Sequence, residues 1–191
     1  MHWDDSLGDL FEDLEQQAEG LRLAERDAEI ADRSTSEYAE VSFAARIHAS
    51  AAHDVRLLVR GVGAVDGTLL RAGLDWCLVG SDAPYREWII RLPAVQSAAG
   101  LSEKAVSEAA RPAVTRLGVG SVLRRVAESR RSVVLTHLDG RQTQGALLRV
   151  GADFVEVEVE VEVADEAEGQ GIGRGRVNVV PFAAIAALHS R

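Results

Sequence analysis

The chain has 191 residues, 47% of them hydrophobic and 27% charged, with a formal net charge of −9. That length buries one substantial core or two small ones, and the balance is that of a globular protein. No apolar run approaches the roughly 20 residues that a membrane-crossing helix needs.

A single cysteine, Cys77, excludes an internal disulfide framework and suits a reducing compartment, so a cytoplasmic location is expected. The charge is unevenly spread. Residues 1–54 hold 14 acidic against 4 basic side chains, residues 55–150 hold 8 against 14, and residues 151–191 hold 8 against 3. An acidic arm, a basic middle and an acidic C-terminal region are thus three different electrostatic objects.

In chain order, the opening "MHWDDSLGDLFEDLE" is acidic and amphipathic, without the basic and apolar regions of a signal peptide. Leu7, Leu10, Leu14, Gln17, Leu21, Ala24, Ala28 and Ala31 fall at alternating spacings of three and four, a heptad stripe. This predicts a helical arm over residues 1–40 that either lies on its own chain or pairs with a second copy. "SEYAEVSFAARIHAS" follows, with Ser34 and Glu37 at capping-box spacing, and predicts a helix.

Two related stretches come next. Val55 to Val79 aligns with Val133 to Val157 at an offset of 78: Gly67 with Gly145, Leu69 with Leu147, Arg71 with Arg149, Gly73 with Gly151, Asp75 with Asp153 and Trp76 with Phe154. "IIRLPAV" from Ile89 aligns with "VVPFAAI" from Val179 at an offset of 90, so the second copy carries 12 extra residues between these blocks. Self-similarity of this kind organises the whole reading.

Each copy predicts five short strands, with a turn at Asp139-Gly140, a bend or positive φ at Gly73 and Gly151, and a brief turn at Pro93 or Pro181. Five short strands in so few residues bury a core by curling into a small barrel. Before the second copy, "GSVLRRVAESRRS" predicts an amphipathic helix with Ser121 as N-cap.

The order of these elements, V-x-L, a turn, G-x-L-x-x-V, a polar bend, a third strand and V-P-x-x-A-I, resembles the Sm-like small barrel, including the bacterial Hfq type. "LDGRQTQGALLRVGADFVEV" carries the closer match. The whole chain also resembles a group of uncharacterised proteins of high-GC actinobacteria, with an acidic first helix and two G-x-D-aromatic segments. The resemblance implies an α+β, mainly β fold: two tandem Sm/SH3-like five-stranded barrels, each introduced by a helix, plus the arm. The implied boundaries are 1–40 for the arm, 41–97 for the first barrel, 98–118 for a connection and 119–191 for the second barrel. The uridine-reading motifs of RNA-binding Sm proteins have no counterpart in "WIIRLPAVQ" or "VNVVPFAAI", so no nucleotide site is carried over.

Three sets of residues carry candidate function. Arg124, Arg125, Arg130 and Arg131, on and just after one short helix, are a candidate contact for RNA or DNA phosphates. Glu156, Glu158, Glu160 and Glu162 alternate with valines and so line one face of a strand, as a solvated face, a docking surface for a partner protein or a cation site. Arg174 and Arg176 are expected to return on the paired strand and neutralise them. Trp76, Cys77, Leu78 and Val79 are apolar on both faces, which predicts a strand covered twice, by its own core and by the arm or the other barrel.

The five histidines lack metal-ligand spacing, Cys77 reads as a buried inert thiol, and the paired Asp75 and Asp153 read as turn formers. No catalytic, cofactor or metal site is expected. The reading is a non-catalytic scaffold acting through protein contacts and self-association, with an RNA- or DNA-binding regulator as the alternative.

Overall fold

The computed structural model describes residues 16–17, 19–23, 25–27, 29, 38–82, 85–105, 117–159 and 176–190. Two compact units divide at residue 41. In the first, the described residues between 16 and 29 are helical, as the arm was expected to be. Leu7, Leu10 and Leu14 of the heptad stripe lie outside the described residues, as do Ser34 and Glu37.

Among the described residues of the second unit, β-branched and alternating sequences form ten antiparallel strands. The first half contains helix α1 (Phe43–Ala49) and strands β1 (Asp54–Val59), β2 (Gly63–Ala72), β3 (Trp76–Asp82), β4 (Tyr85–Arg91) and β5 (Val95–Ala99). The second contains helix α2 (Val119–Ser129) and strands β6 (Ser132–His137), β7 (Gln142–Val150), β8 (Phe154–Val159), β9 (Arg176–Pro181) and β10 (Ile185–Ser190). A single 3₁₀ turn separates the last two strands of each half, at Leu92–Ala94 and Phe182–Ala184.

Hydrogen-bond register carries the repeat through the fold. Val55 faces Gly67 as Val133 faces Gly145; Leu69 faces Val79 as Leu147 faces Val157; Cys77 faces Ile90 as Val155 faces Val180. The irregularity in β2 between Leu69 and Arg71 recurs in β7 between Leu147 and Arg149, where an extra residue bends the strand. In each half the last strand turns back onto the first, β5 on β1 and β10 on β6.

The ten strands do not form two separate sheets. They make one open sheet in the order β5-β1-β2-β3-β4-β10-β6-β7-β8-β9. Strand β4 ends the first half with unpaired amides and carbonyls on its outer side, and β10 satisfies them. Ile90, Ile89 and Trp88 lie opposite Ala187, Leu188 and His189.

The repeated glycines have a steric reason. A Cβ on Gly67 would lie 2.1 Å from the Gly80 carbonyl oxygen, and one on Gly145 1.9 Å from that of Glu158. Gly73 and Gly151 are not at positive φ. Each instead lies under the ring three residues on, where a Cβ would come within 2.0 Å of the Trp76 indole or 2.4 Å of the Phe154 ring. The Gly-x-Asp-aromatic signature is therefore a ring folded onto a bare backbone.

Candidate functional site

The most built-up surface is the junction between the halves. Alternation in β3 sends Cys77 and Val79 into the first core, with Leu57, Leu69 and Ile90. Trp76 belongs to the second core, with Leu123, Leu147 and Val155, and Leu78 and Ile89 pack against that core. The expectation of a strand covered on both faces therefore holds, and the other half supplies the second cover. The Trp76 indole N–H donates to the Leu117 carbonyl at 2.9 Å, and the Leu74 amide donates to the same oxygen at 3.1 Å.

Asp75 completes the junction. Its carboxylate accepts from the Val119 amide at 2.8 Å, so it caps α2, whose N-cap position is Gly118 and not Ser121. It also forms an ion pair with Arg91. Asp75 is thus no side-chain turn former. The feature it shares with Asp153 is the backbone carbonyl, which accepts from Leu92 at 2.9 Å and, in the second half, from Phe182 at 2.7 Å. Pro181 occupies the position of Arg91, and Asp153 is exposed.

At the far side of the junction His189 lies against Trp88, ring centroids 4.4 Å apart, and Arg86 sits 5.7 Å over the same indole. Burial, together with Arg86, pulls the His189 pKa below the ordinary value of 6.5, against the opposing effect of its hydrogen bond to the Ser190 carbonyl. A cavity of about 160 Å³ there is lined by Leu78, Ile89, Val126, Arg131 and His189 among others.

The four arginines are all exposed. Arg124 donates to the Gly151 carbonyl at 3.1 Å, Arg125 pairs with Glu128 at 2.7 Å, and Arg130 closes α2 in the left-handed conformation at φ 49°. Their charge lies along one helix and the turn after it.

Of the glutamates, Glu156 and Glu158 lie on β8, and Glu160 and Glu162 are outside the described residues. Arg149 on β7 grips Glu156 through two hydrogen bonds, 2.7 and 3.0 Å, which raises the arginine's pKa. Among the described residues Arg176 makes no ion pair with Glu156 or Glu158. Arg176 lies opposite Val159, and the residues facing Glu158 and Glu156 across the ladder are Val177 and Val179. Arg174 lies outside the described residues. Nothing in the sequence of β9 announced Arg149 as the partner; the bulge in β7 sets it opposite Glu156.

Cys77 is fully buried, and desolvation pushes its thiol up to about 12. Among the described residues no three His, Cys, Asp or Glu side chains converge as metal ligands. No described helix is long and apolar enough to cross a membrane. No protein-family model matches the chain, and no curated protein is similar to it.

Proposed function

We propose that this protein is a non-catalytic scaffold, two Sm/SH3-like small barrels fused in one chain, that works in the cytoplasm through protein–protein contacts and association with its own copies. One observation carries the reading. The outer strand of the first half is paired by β10 and its outer face covered by the second half, whereas the matching strand of the second half, β9, ends the sheet with Val177 48% and Val179 61% exposed. Exposed β-branched side chains on an end strand offer both backbone pairing and apolar contact.

The barrel assignment is supported by the return of each fifth strand to the first and by the shared bulge. The groups that would otherwise suggest chemistry are held in the fold: Cys77 is buried, which raises its thiol pKa, and Asp75 and Glu156 are paired with arginines.

Sedimentation of the full chain over a hundredfold concentration range tests this reading. A mass that rises above the 20.5 kDa monomer supports it; a monomer throughout, with no stable protein partner in the native host, overturns it. The second reading, a nucleic-acid binder, rests on the exposed arginines of α2. It requires affinity for RNA or DNA that falls with salt and collapses when Arg124, Arg125, Arg130 and Arg131 are replaced by glutamate.

A further inference from the structure

Where β3 and β4 of the first half meet the second, packing leaves a cavity of about 160 Å³. Its wall is apolar and comes from five elements: Leu78 of β3, Ile89 of β4, Val126 of α2, Val133 of β6 and Leu188 of β10. Register explains the floor. Leu78 lies opposite Ile89, Ile89 opposite Leu188, and Leu188 opposite Leu135, so one row of aliphatic side chains crosses from one half to the other. Leu78, Ile89 and Val126 all pack against the second core, which fixes the wall in place.

The mouth of the cavity is polar. Glu87 and Ser190 stand two residues along their strands from Ile89 and Leu188, on the same faces, and both are exposed. Arg131, between α2 and β6, lines the same cavity and is exposed as well. Among the described residues the Arg131 guanidinium makes no hydrogen bond or ion pair within the chain, whereas those of Arg125, Arg141 and Arg149 each hold a carboxylate. Glu87 keeps a contact within the chain, but a carboxylate has acceptor sites for several donors. His189 borders the cavity too, with its ring packed against Trp88.

We propose that this cavity binds a free α-amino acid whose apolar side chain is of leucine to phenylalanine size. The size follows from the volume. A cavity of roughly 150 Å³ lined by aliphatic and aromatic side chains holds one benzene ring, so this one takes a branched aliphatic chain or a phenyl ring. The charges follow from the mouth. A cation and an anion at one rim match the two charges of a zwitterion, its carboxylate on Arg131 and its ammonium on Glu87, each through a charge-assisted hydrogen bond. An apolar wall with a few polar groups converging at one end is the general form of a small-ligand site. The site is complete within one chain, so it stands apart from the self-association reading. A ligand seated there touches both halves and stabilises the joined fold by mass action.

The test titrates the full-length chain by calorimetry with L-leucine and L-phenylalanine. The same chain is titrated with isopentylamine, which lacks the carboxylate, with 4-methylpentanoate, which lacks the ammonium, and with glycine, which lacks the side chain. One leucine or phenylalanine per chain is expected, with a dissociation constant on the order of 0.1–1 mM and a raised thermal midpoint. Each of the three truncated compounds is expected to bind about tenfold more weakly or worse. Arg131→Gln and Glu87→Gln, both at exposed positions, are each expected to weaken leucine binding by about tenfold with ligand-free unfolding unchanged. Arg130→Gln, at a neighbouring arginine that does not line the cavity, is expected to leave binding as it is. No binding of either amino acid up to about 10 mM overturns the proposal. So does equal affinity for a compound lacking one charge, or a loss in only one or neither of the two charge variants.

Discussion

The two halves share a strand order and a register, yet residue for residue their outer faces differ. Leu78 in the first half is Glu156 in the second, Ile89 is Val179, Arg91 is Pro181, and Ala99 of β5 is His189 of β10. The first half faces a fixed neighbour on its β3–β4 side, and its outer strands are apolar on both faces there. The second half has no neighbour on that side within the described residues, and its outer face carries a glutamate pinned by an arginine beside two exposed valines. The difference separates what a unit needs to fold from what it needs to be joined.

Breaking the joined side has the largest expected effect. Trp76→Ala removes a ring that is 8% exposed and seated in the other half's core, together with its bond to Leu117. A loss of about 3–5 kcal/mol is expected. Phe154→Ala, at the matching half-buried position, is expected to cost about 1–2 kcal/mol. Urea unfolding of the two variants measures the contrast, and equal losses would remove the distinction between the faces.

Next in size is the helix cap. Asp75→Ala deprives α2 of its acceptor and Arg91 of its counter-charge, with an expected cost of about 2 kcal/mol. Asp153→Ala, at an exposed carboxylate, is expected to stay within about 0.5 kcal/mol of the wild type. If both substitutions cost the same, the aspartates do one shared job and the cap is not the reason for Asp75.

The smallest effect concerns pH. The folded-state pKa of His189 is depressed, so the unfolded chain binds the proton more readily. Its contribution is fully present above the ordinary value of 6.5 and is lost as pH falls through the lower folded value. Arg86 opposes protonation directly, and Glu87 and Arg131 line the same cavity. Thermal unfolding between pH 7.5 and 5 is expected to show the decline, and His189→Phe to flatten it. An unchanged slope would place the titrating group elsewhere.

Much of the architecture is legible in the residues because it is local or periodic. The repeat offsets, the Asp139-Gly140 turn, the break at the proline before the fifth strand and the doubly apolar Trp76–Val79 strand all follow from backbone preference and alternation. Structure and sequence part where a contact is set by strand register and packing. Ser121 has the chemistry of an N-cap, but Asp75 takes the role through the amide of Val119, 44 residues further along the chain. Arg176 lies opposite Val159, so register turns it to the other face, and Arg149 on β7 makes the pair with Glu156. The chain bends just after Gly73 and Gly151, as expected there, but without positive φ; the missing side chain makes room for a ring.

The sequence by itself therefore determined that a strand pattern occurs twice and where each strand begins and turns, since those properties depend on neighbours along the chain. Only the tertiary structure decided that the two patterns share one sheet through β4 and β10, and which strands remain at its ends. Edge pairing is a contact between backbones, which are the same at every residue, so composition leaves it open until the halves are set side by side.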